Sequence, residues 1–280
     1  MDFTQKKLTL FPILSVFFIY FSGKLLSILL TSASIDPTFL VILYRSLSSL
    51  ILFFYFGGNK QWLTLKLAPH IHAWKFMFPL LIVNLILGWM SFGAQAASVT
   101  NETIESGLFI INFFYILLLC FFIGINEEMM FRGLMLGGFM NALKKKKNGL
   151  MLAAILSSLL FGFFHVMTDI DFTQPLTWIQ GAMKTIQTGM FGFMLCALVL
   201  EDKNLTGASC VHSFSDWLIL GSYIFTGLSS NVAHYISLDS HLALYSILFY
   251  GFIILLYAPR TNKAYRKIKA LEGKADCPIQ

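Results

Sequence analysis

Apolar residues in this chain are gathered into long blocks, and each block is of spanning length, about 20 residues. They lie near 8–31, 38–57, 76–98, 107–142, 149–167, 178–200, 206–226 and 241–258. With 107–142 taken as one element, the pattern predicts an all-α fold, a polytopic membrane helix bundle of about eight transmembrane helices. That element is long for its place. A straight helix from Gly107 to Leu143 would run about 55 Å, against a hydrocarbon core of about 30 Å. It must tilt, project or break, and Gly124-Ile125-Asn126 is the expected place for a break.

The polar positions between the blocks sort by charge. With the N-terminus inside, the inner loops hold Lys6, Lys7, Lys60, Lys66, Lys75, Lys144 to Lys147, Lys203 and six basic residues from Arg260 to Lys274, sixteen in all. The outer loops hold none of these and carry Asp36, Glu102, Glu105, Asp169, Asp171 and Asp239. This asymmetry predicts a multi-pass integral membrane protein with both termini cytoplasmic. Composition agrees, since 57% of residues are hydrophobic and 12% charged, where a soluble domain carries about a quarter. The net charge of +6 is accounted for by the inner loops, so the lipid bilayer is an expected partner and nucleic acid is not. Cys120, Cys196, Cys210 and Cys277 show no paired spacing, which indicates neither a disulfide framework nor a zinc knuckle. The first block has no small-residue cleavage site after it and reads as a retained span.

The expected organisation is a three-helix membrane segment over 1–106, a core over 107–226, a last transmembrane helix with its preceding loop over 227–258, and a basic cytoplasmic tail over 259–280. The tail ends on Cys277-Pro278-Ile279-Gln280, a C-a-a-X pattern read here as coincidence, because a lipid anchor adds little to a multi-span protein. The glycosylation-like tripeptides at Asn101-Glu102-Thr103 and Asn204-Leu205-Thr206 are also short enough to arise by chance.

Candidate chemistry starts at Glu127-Glu128-Met129-Met130-Phe131-Arg132-Gly133, since no charge occurs in the twenty residues before it or again until Lys144. An ionisable group at a bilayer centre costs about 2.5–3.5 kcal/mol on insertion scales, so such groups tend to be paired and functional. Glu128 and Arg132 stand four apart with the acid first, the favoured order for an ion pair on one helix face. Glu127 lies about 100° round the helix and is left to point elsewhere. A structural salt bridge would explain Glu128 and Arg132 and leave Glu127 without a role.

Two further polar islands follow at helical spacing. Phe161 and His165 share a helix face, and the Lys144–Lys147 turn joins their segment to the acidic one. Glu127 precedes the middle of that turn by about nineteen residues and His165 follows it by about nineteen, so an antiparallel hairpin brings both to one depth. His212 and Asp216 form a second i, i+4 pair. Ser213 and Ser215 beside them lack a G-x-S-x-G setting, and adjacent residues on a helix do not face one another. Gly189, Gly192 and Ala197, with Gly133 and Gly137 on the acidic segment, are small residues that allow close helix approach. Lys24, Arg45 and Lys184 lie within apolar blocks and are assigned no role.

Together these islands supply a carboxylate to deprotonate water and histidines to assist it and to hydrogen-bond a developing oxyanion. Arg132 holds Glu128 as the anion, so the two acids can differ in role. No cofactor is favoured. Glu127, His165 and His212 could instead hold a divalent metal such as zinc, although no HExxH is present and Asp216 would stand behind the ligands.

EEMMFRG, FGFFH and HSFSD, in that order on apolar segments, resemble the E-E-x-x-x-R, F-x-x-x-H and H-x-x-x-N/D motifs of the CAAX-processing and bacteriocin-processing intramembrane proteases. The resemblance covers about 107–226. It implies an endopeptidase acting on a membrane-associated peptide or protein, with Glu127 activating water and His165 assisting. It further implies that His212 and Asp216 stabilise the oxyanion, that Glu128 and Arg132 hold the site together, and that the setting is a bacterial cell membrane, in bacteriocin maturation or self-immunity. Family members often carry asparagine where this chain has Asp216; an amide donates to an oxyanion and an ionised carboxylate cannot. Two other classes compete. One is a non-catalytic membrane immunity or scaffolding protein. The other is a proton-coupled transporter, which buried acids and histidines also build but for which no internal repeat is visible.

Overall fold

A peptide group inside a bilayer has no water to bond, so each apolar block closes its own hydrogen bonds as a helix. The structure, a computed structural model, describes residues 3–33, 37–99, 106–167, 169–171, 173–225 and 236–273. Asp36, Glu102, Glu105, the tripeptide at 101–103 and the C-a-a-X pattern at 277–280 lie outside the described residues. Among the described residues all regular structure is helical, in chain order α1 (Phe3–Ser32), α2 (Thr38–Tyr55), α3 (Leu67–Val99), α4 (Ser106–Glu128), α5 (Leu136–Leu143), α6 (Gly149–Phe164), α7 (Pro175–Asp202), α8 (Leu205–Leu220) and α9 (Ser240–Glu272). Short 3₁₀ turns occupy Lys60–Leu63 and Gly221–Ile224.

The chain is a multi-pass membrane protein. Six rods are long and apolar enough to cross a membrane: α1, α2, α3, α7, α9 and the continuous rod that runs from α4 into α5. The remaining two, α6 and α8, are 16 residues each, about 24 Å at 1.5 Å per residue and shorter than the core of a bilayer. They are shorter than the expected 149–167 and 206–226, and they carry the histidines. The last helix exceeds the expected 241–258 and continues through Pro259 to Glu272, so most of the basic tail is helical, with Ala264 and Ile268 buried against the bundle.

The expected break at Gly124-Ile125-Asn126 is absent. The α-helix runs through it to Glu128, and the irregularity comes one turn later, where Met129–Met135 winds as a π-helix. Gly124 has a different use. A Cβ there would stand 2.2 Å from Ser213 Oγ and 2.8 Å from the Ser209 carbonyl oxygen, so its missing side chain lets α8 lie directly against α4.

At the centre runs α7, with Leu195, Cys196, Ala197 and Val199 fully buried. It meets α6 closely, because a Cβ on Gly162 would fall 2.1 Å from the Thr185 carbonyl oxygen. The charge sorting is also visible in three dimensions. At one end, His72 Nδ1 bonds Asp202 Oδ2 at 2.7 Å, Lys267 pairs with Glu201, and the Leu150 N–H donates to Glu272 Oε1 at 3.0 Å. These contacts bring together the start of α3, the α7–α8 junction, the lysine turn and the end of α9. At the other end, Gln180 exchanges hydrogen bonds with the Ser237 backbone, donating at 2.9 Å and accepting at 3.0 Å, and Asp239 caps α9.

Candidate active site

The acidic pair occupies the last turn of α4, where the ladder changes from α to π. A π turn leaves carbonyls out of α register, and one of them finds a partner on another helix: Ser157 Oγ on α6 donates to the Phe131 carbonyl at 2.8 Å. π-bulges inside α-helices recur at functional sites because they re-aim side chains without ending the helix. Here both members of an i, i+4 ion pair stay on one face across the change. Arg132 Nη1 lies 2.9 Å from Glu128 Oε1, with side-chain exposures of 1% and 0%.

Phe161 and a glycine build the arginine's seat. The guanidinium lies over the Phe161 ring at 4.3 Å from its centre, a cation–π contact that strengthens when desolvated. A Cβ on Gly192 would stand 2.8 Å from Phe161 Cδ1 and 2.9 Å from Arg132 Nη2, so only glycine leaves room for both.

Glu128 also orients His212. The His212 Nδ1–H donates to Glu128 Oε1 at 2.7 Å across 84 residues of sequence. The imidazole is wedged between Phe161 and Phe191, at 5.8 and 5.2 Å between ring centres, and turns Nε2 toward Glu127 Oε2 at 3.4 Å and Asp216 Oδ2 at 3.8 Å. The carboxylate that orients His212 is therefore Glu128. Asp216, one turn away on the same helix, faces the opposite ring nitrogen.

His165 caps the end of α6. Its Nδ1–H donates to the Phe161 carbonyl at 2.8 Å, which in the neutral ring leaves the lone pair on Nε2. That nitrogen lies 3.8 Å from Glu127 Oε1, so the lysine-turn hairpin brings the two residues to one depth. Glu127 thus has a histidine Nε2 near each of its oxygens, and with 20% of its side chain exposed it can meet a ligand that Glu128 cannot.

Residues 109–218 match the family model described as type II CAAX prenyl endopeptidase Rce1-like. This match makes the segment similar to the CAAX-protease family. The family is one of proteases. Comparison with curated proteins and with solved structures found no match.

The matched segment contains every residue singled out for the site. It leaves out α1, α2, α3 and α9. In α2, Arg45 Nη2 donates to the Tyr20 carbonyl at 3.0 Å and its guanidinium lies 4.8 Å from the Tyr20 ring centre. The only sequence signal for it was a charge inside an apolar block. Lys184 contacts Gln187 Oε1 at 3.0 Å and lies over the Tyr250 ring at 5.4 Å, well within α7, whereas Lys24 is exposed. The two serines near His212 are engaged elsewhere, Ser215 Oγ accepting from Asn84 Nδ2 at 2.6 Å and Ser213 Oγ donating to the Phe121 carbonyl at 3.3 Å. Among the described residues no group of three or more His, Cys, Asp or Glu side chains is arranged to hold a metal ion.

Proposed function

We propose that this protein is an intramembrane endopeptidase that hydrolyses a peptide bond in a membrane-associated peptide or protein, with water activated by Glu127. The observation that carries this is the position of Glu127: beside an arginine-held carboxylate, itself not bound by Arg132, and facing the Nε2 atoms of His165 and His212 at 3.8 and 3.4 Å. A separation of 3.8 Å between two polar atoms is too long for a direct hydrogen bond and suits a bridging water. Such a water donates one proton toward the Nε2 lone pair of His165 and the other to Glu127. Glu127 takes that proton as the oxygen attacks the scissile carbonyl, and later delivers it to the departing amine. His212, held through Nδ1–H by Glu128, donates from Nε2 as the imidazolium to the carbonyl oxygen as it becomes an oxyanion. Asp216 keeps a place beside His212 and takes no donor role unless it carries a proton itself.

This metal-free chemistry uses only groups whose partners are in place. Were a divalent metal involved, Glu127, His165 and His212 would be its ligands, and it would supply a bound water with a pKa near 7. Incubating purified protein in detergent with membrane peptides, with and without a chelator, tests both points. Cleavage that persists after exhaustive chelation supports the glutamate mechanism. A stoichiometric transition metal that is lost in His165→Ala together with activity, and that restores stripped wild-type protein, would overturn it. Absence of cleavage across a broad peptide panel would favour a non-catalytic immunity or scaffolding role.

The setting we propose is a bacterial cell membrane, with bacteriocin processing or self-immunity as the context and both termini in the cytoplasm. The sixteen-to-none distribution of basic residues between the loops supports that orientation. Reporters fused after Lys147 and at the C-terminus should both read cytoplasmic, and one near Asp171 should read outside. Opposite readings for the first two would remove the eight-span arrangement.

A further inference from the structure

Between α1, α2 and α5, at the basic end of the bundle, lies a cavity of about 960 Å³ that Arg132 lines but none of Glu127, His165 and His212 does. Lys144, Lys145 and Lys146 stand at its rim, and no acidic side chain lines it. Phe53, Phe56, Trp62 and Met140 form apolar walls. On its α5 side Gly137 is open, because a Cβ there would meet nothing within 4 Å. Gly137 was expected to bring two helices together and instead leaves space.

We propose that this cavity is a binding site for an anionic phospholipid, with the phosphate on the lysine rim and one acyl chain along α5. Three observations fit that ligand together. The exposed lysines of the α5–α6 turn supply three ammonium groups in sequence, and lysine binds phosphate as a point charge. The walls below the rim are mainly apolar, with Asn59, Asn141 and Arg132 also in the lining, and their apolar part suits a hydrocarbon chain. The lining on the acidic rod extends from Arg132 to Lys144, about 18 Å at 1.5 Å per residue. That is close to one leaflet's share, about 15 Å, of the hydrocarbon core. A neutral lipid would gain nothing from the rim, and a soluble phosphate nothing from the apolar part of the walls. The site rests on the reading that the lysine end meets a membrane surface, and it does not depend on catalysis.

Trp62 lines the cavity and provides the readout. In bilayers doped with phosphatidylglycerol or phosphatidylcholine brominated on the chain, the quenching that disappears in W62F reports lipid in this site. Phosphatidylglycerol should half-quench that component at about a tenfold lower mole fraction than phosphatidylcholine, given the surface attraction of each lysine for anionic lipid. The triple change K144Q/K145Q/K146Q, on exposed side chains, should abolish the preference. Gly137→Phe, with the lysines intact, should abolish quenching by both lipids. Equal quenching by the two lipids in the wild type overturns the proposal. Loss of the preference on adding millimolar inorganic phosphate would assign the rim to free phosphate and overturn the lipid. Displacement of the lipid by a peptide with a free C-terminal carboxylate would make the cavity a peptide channel and equally overturn it.

Discussion

Glu127 and Glu128 are adjacent in sequence and sit in two different regions of the molecule. The region around Glu128 is closed: Arg132 at 2.9 Å, His212 at 2.7 Å, and no exposed side-chain surface. The region around Glu127 is open, with 20% of its side chain exposed and its nearest histidine nitrogens at 3.4 and 3.8 Å. One carboxylate is buried and held at Oε1 by both Arg132 and His212, and the other is partly exposed and held more loosely. One residue, about 100° round the helix, separates a buried ion pair from a partly exposed acid, because the two occupy different faces of α4. A buried charge must be paired, and once paired it has little capacity left for a substrate.

The largest effect should come from opening the closed region. Arg132→Ala leaves Glu128 buried without its cation, a change that costs about 3–5 kcal/mol in comparable buried pairs. Thermal unfolding in detergent should show a large drop in midpoint with loss of cleavage, and an unchanged midpoint would break the distinction between the two regions. Next comes the open region. Glu127→Gln should lower kcat/KM by about 10³-fold, within the range for general acid–base groups, while the unfolding midpoint stays near wild type. A fully active Glu127→Gln protein would remove its role as the base.

A third change sharpens the comparison from the side of α7. Gly192→Val must displace Phe161 or Arg132, and overpacking of this kind costs about 1–3 kcal/mol. Stability should fall, and cleavage with it, because the same two side chains seat the ion pair. The smallest effect should be that of Ser157→Ala, which takes the hydroxyl from the Phe131 carbonyl in the π segment. A lost hydrogen bond to a buried group costs about 1–3 kcal/mol, and the low end applies if the segment relaxes toward α-helix. In that case cleavage should fall more than stability, since the acids would be re-aimed. Equal losses in both would make the π turn a packing feature alone.

Much of this was readable from residues in order. Apolar length predicted the rods, loop charge predicted the two ends, and the spacings Glu128–Arg132 and Phe161–His165 predicted shared faces that the structure displays. The hairpin count that levelled Glu127 with His165 needed only a short turn and equal arms. Other features were out of reach. A break is expected at Gly124–Asn126, because glycine and asparagine signal local weakness, whereas the irregularity is a π segment at Met129–Met135 with a serine on α6 donating to its carbonyl. Gly137 gave the same signal as Gly192 and does the opposite, one bordering a cavity and the other a packed arginine.

What the sequence determined by itself is everything that depends on local period and on solvent: which segments are apolar, which loops are basic, and which polar residues share a turn. Those follow from the bilayer acting on each segment separately. Only the tertiary structure decided that Glu128, and not Asp216, orients His212, that Arg45 on α2 bonds the Tyr20 carbonyl on α1, and that Gly137 opens on a cavity. Each of these depends on a partner from a different helix, and helices of similar apolar character can pack side by side in many arrangements. Small residues and interhelical hydrogen bonds select among them, and those act only once the helices have met.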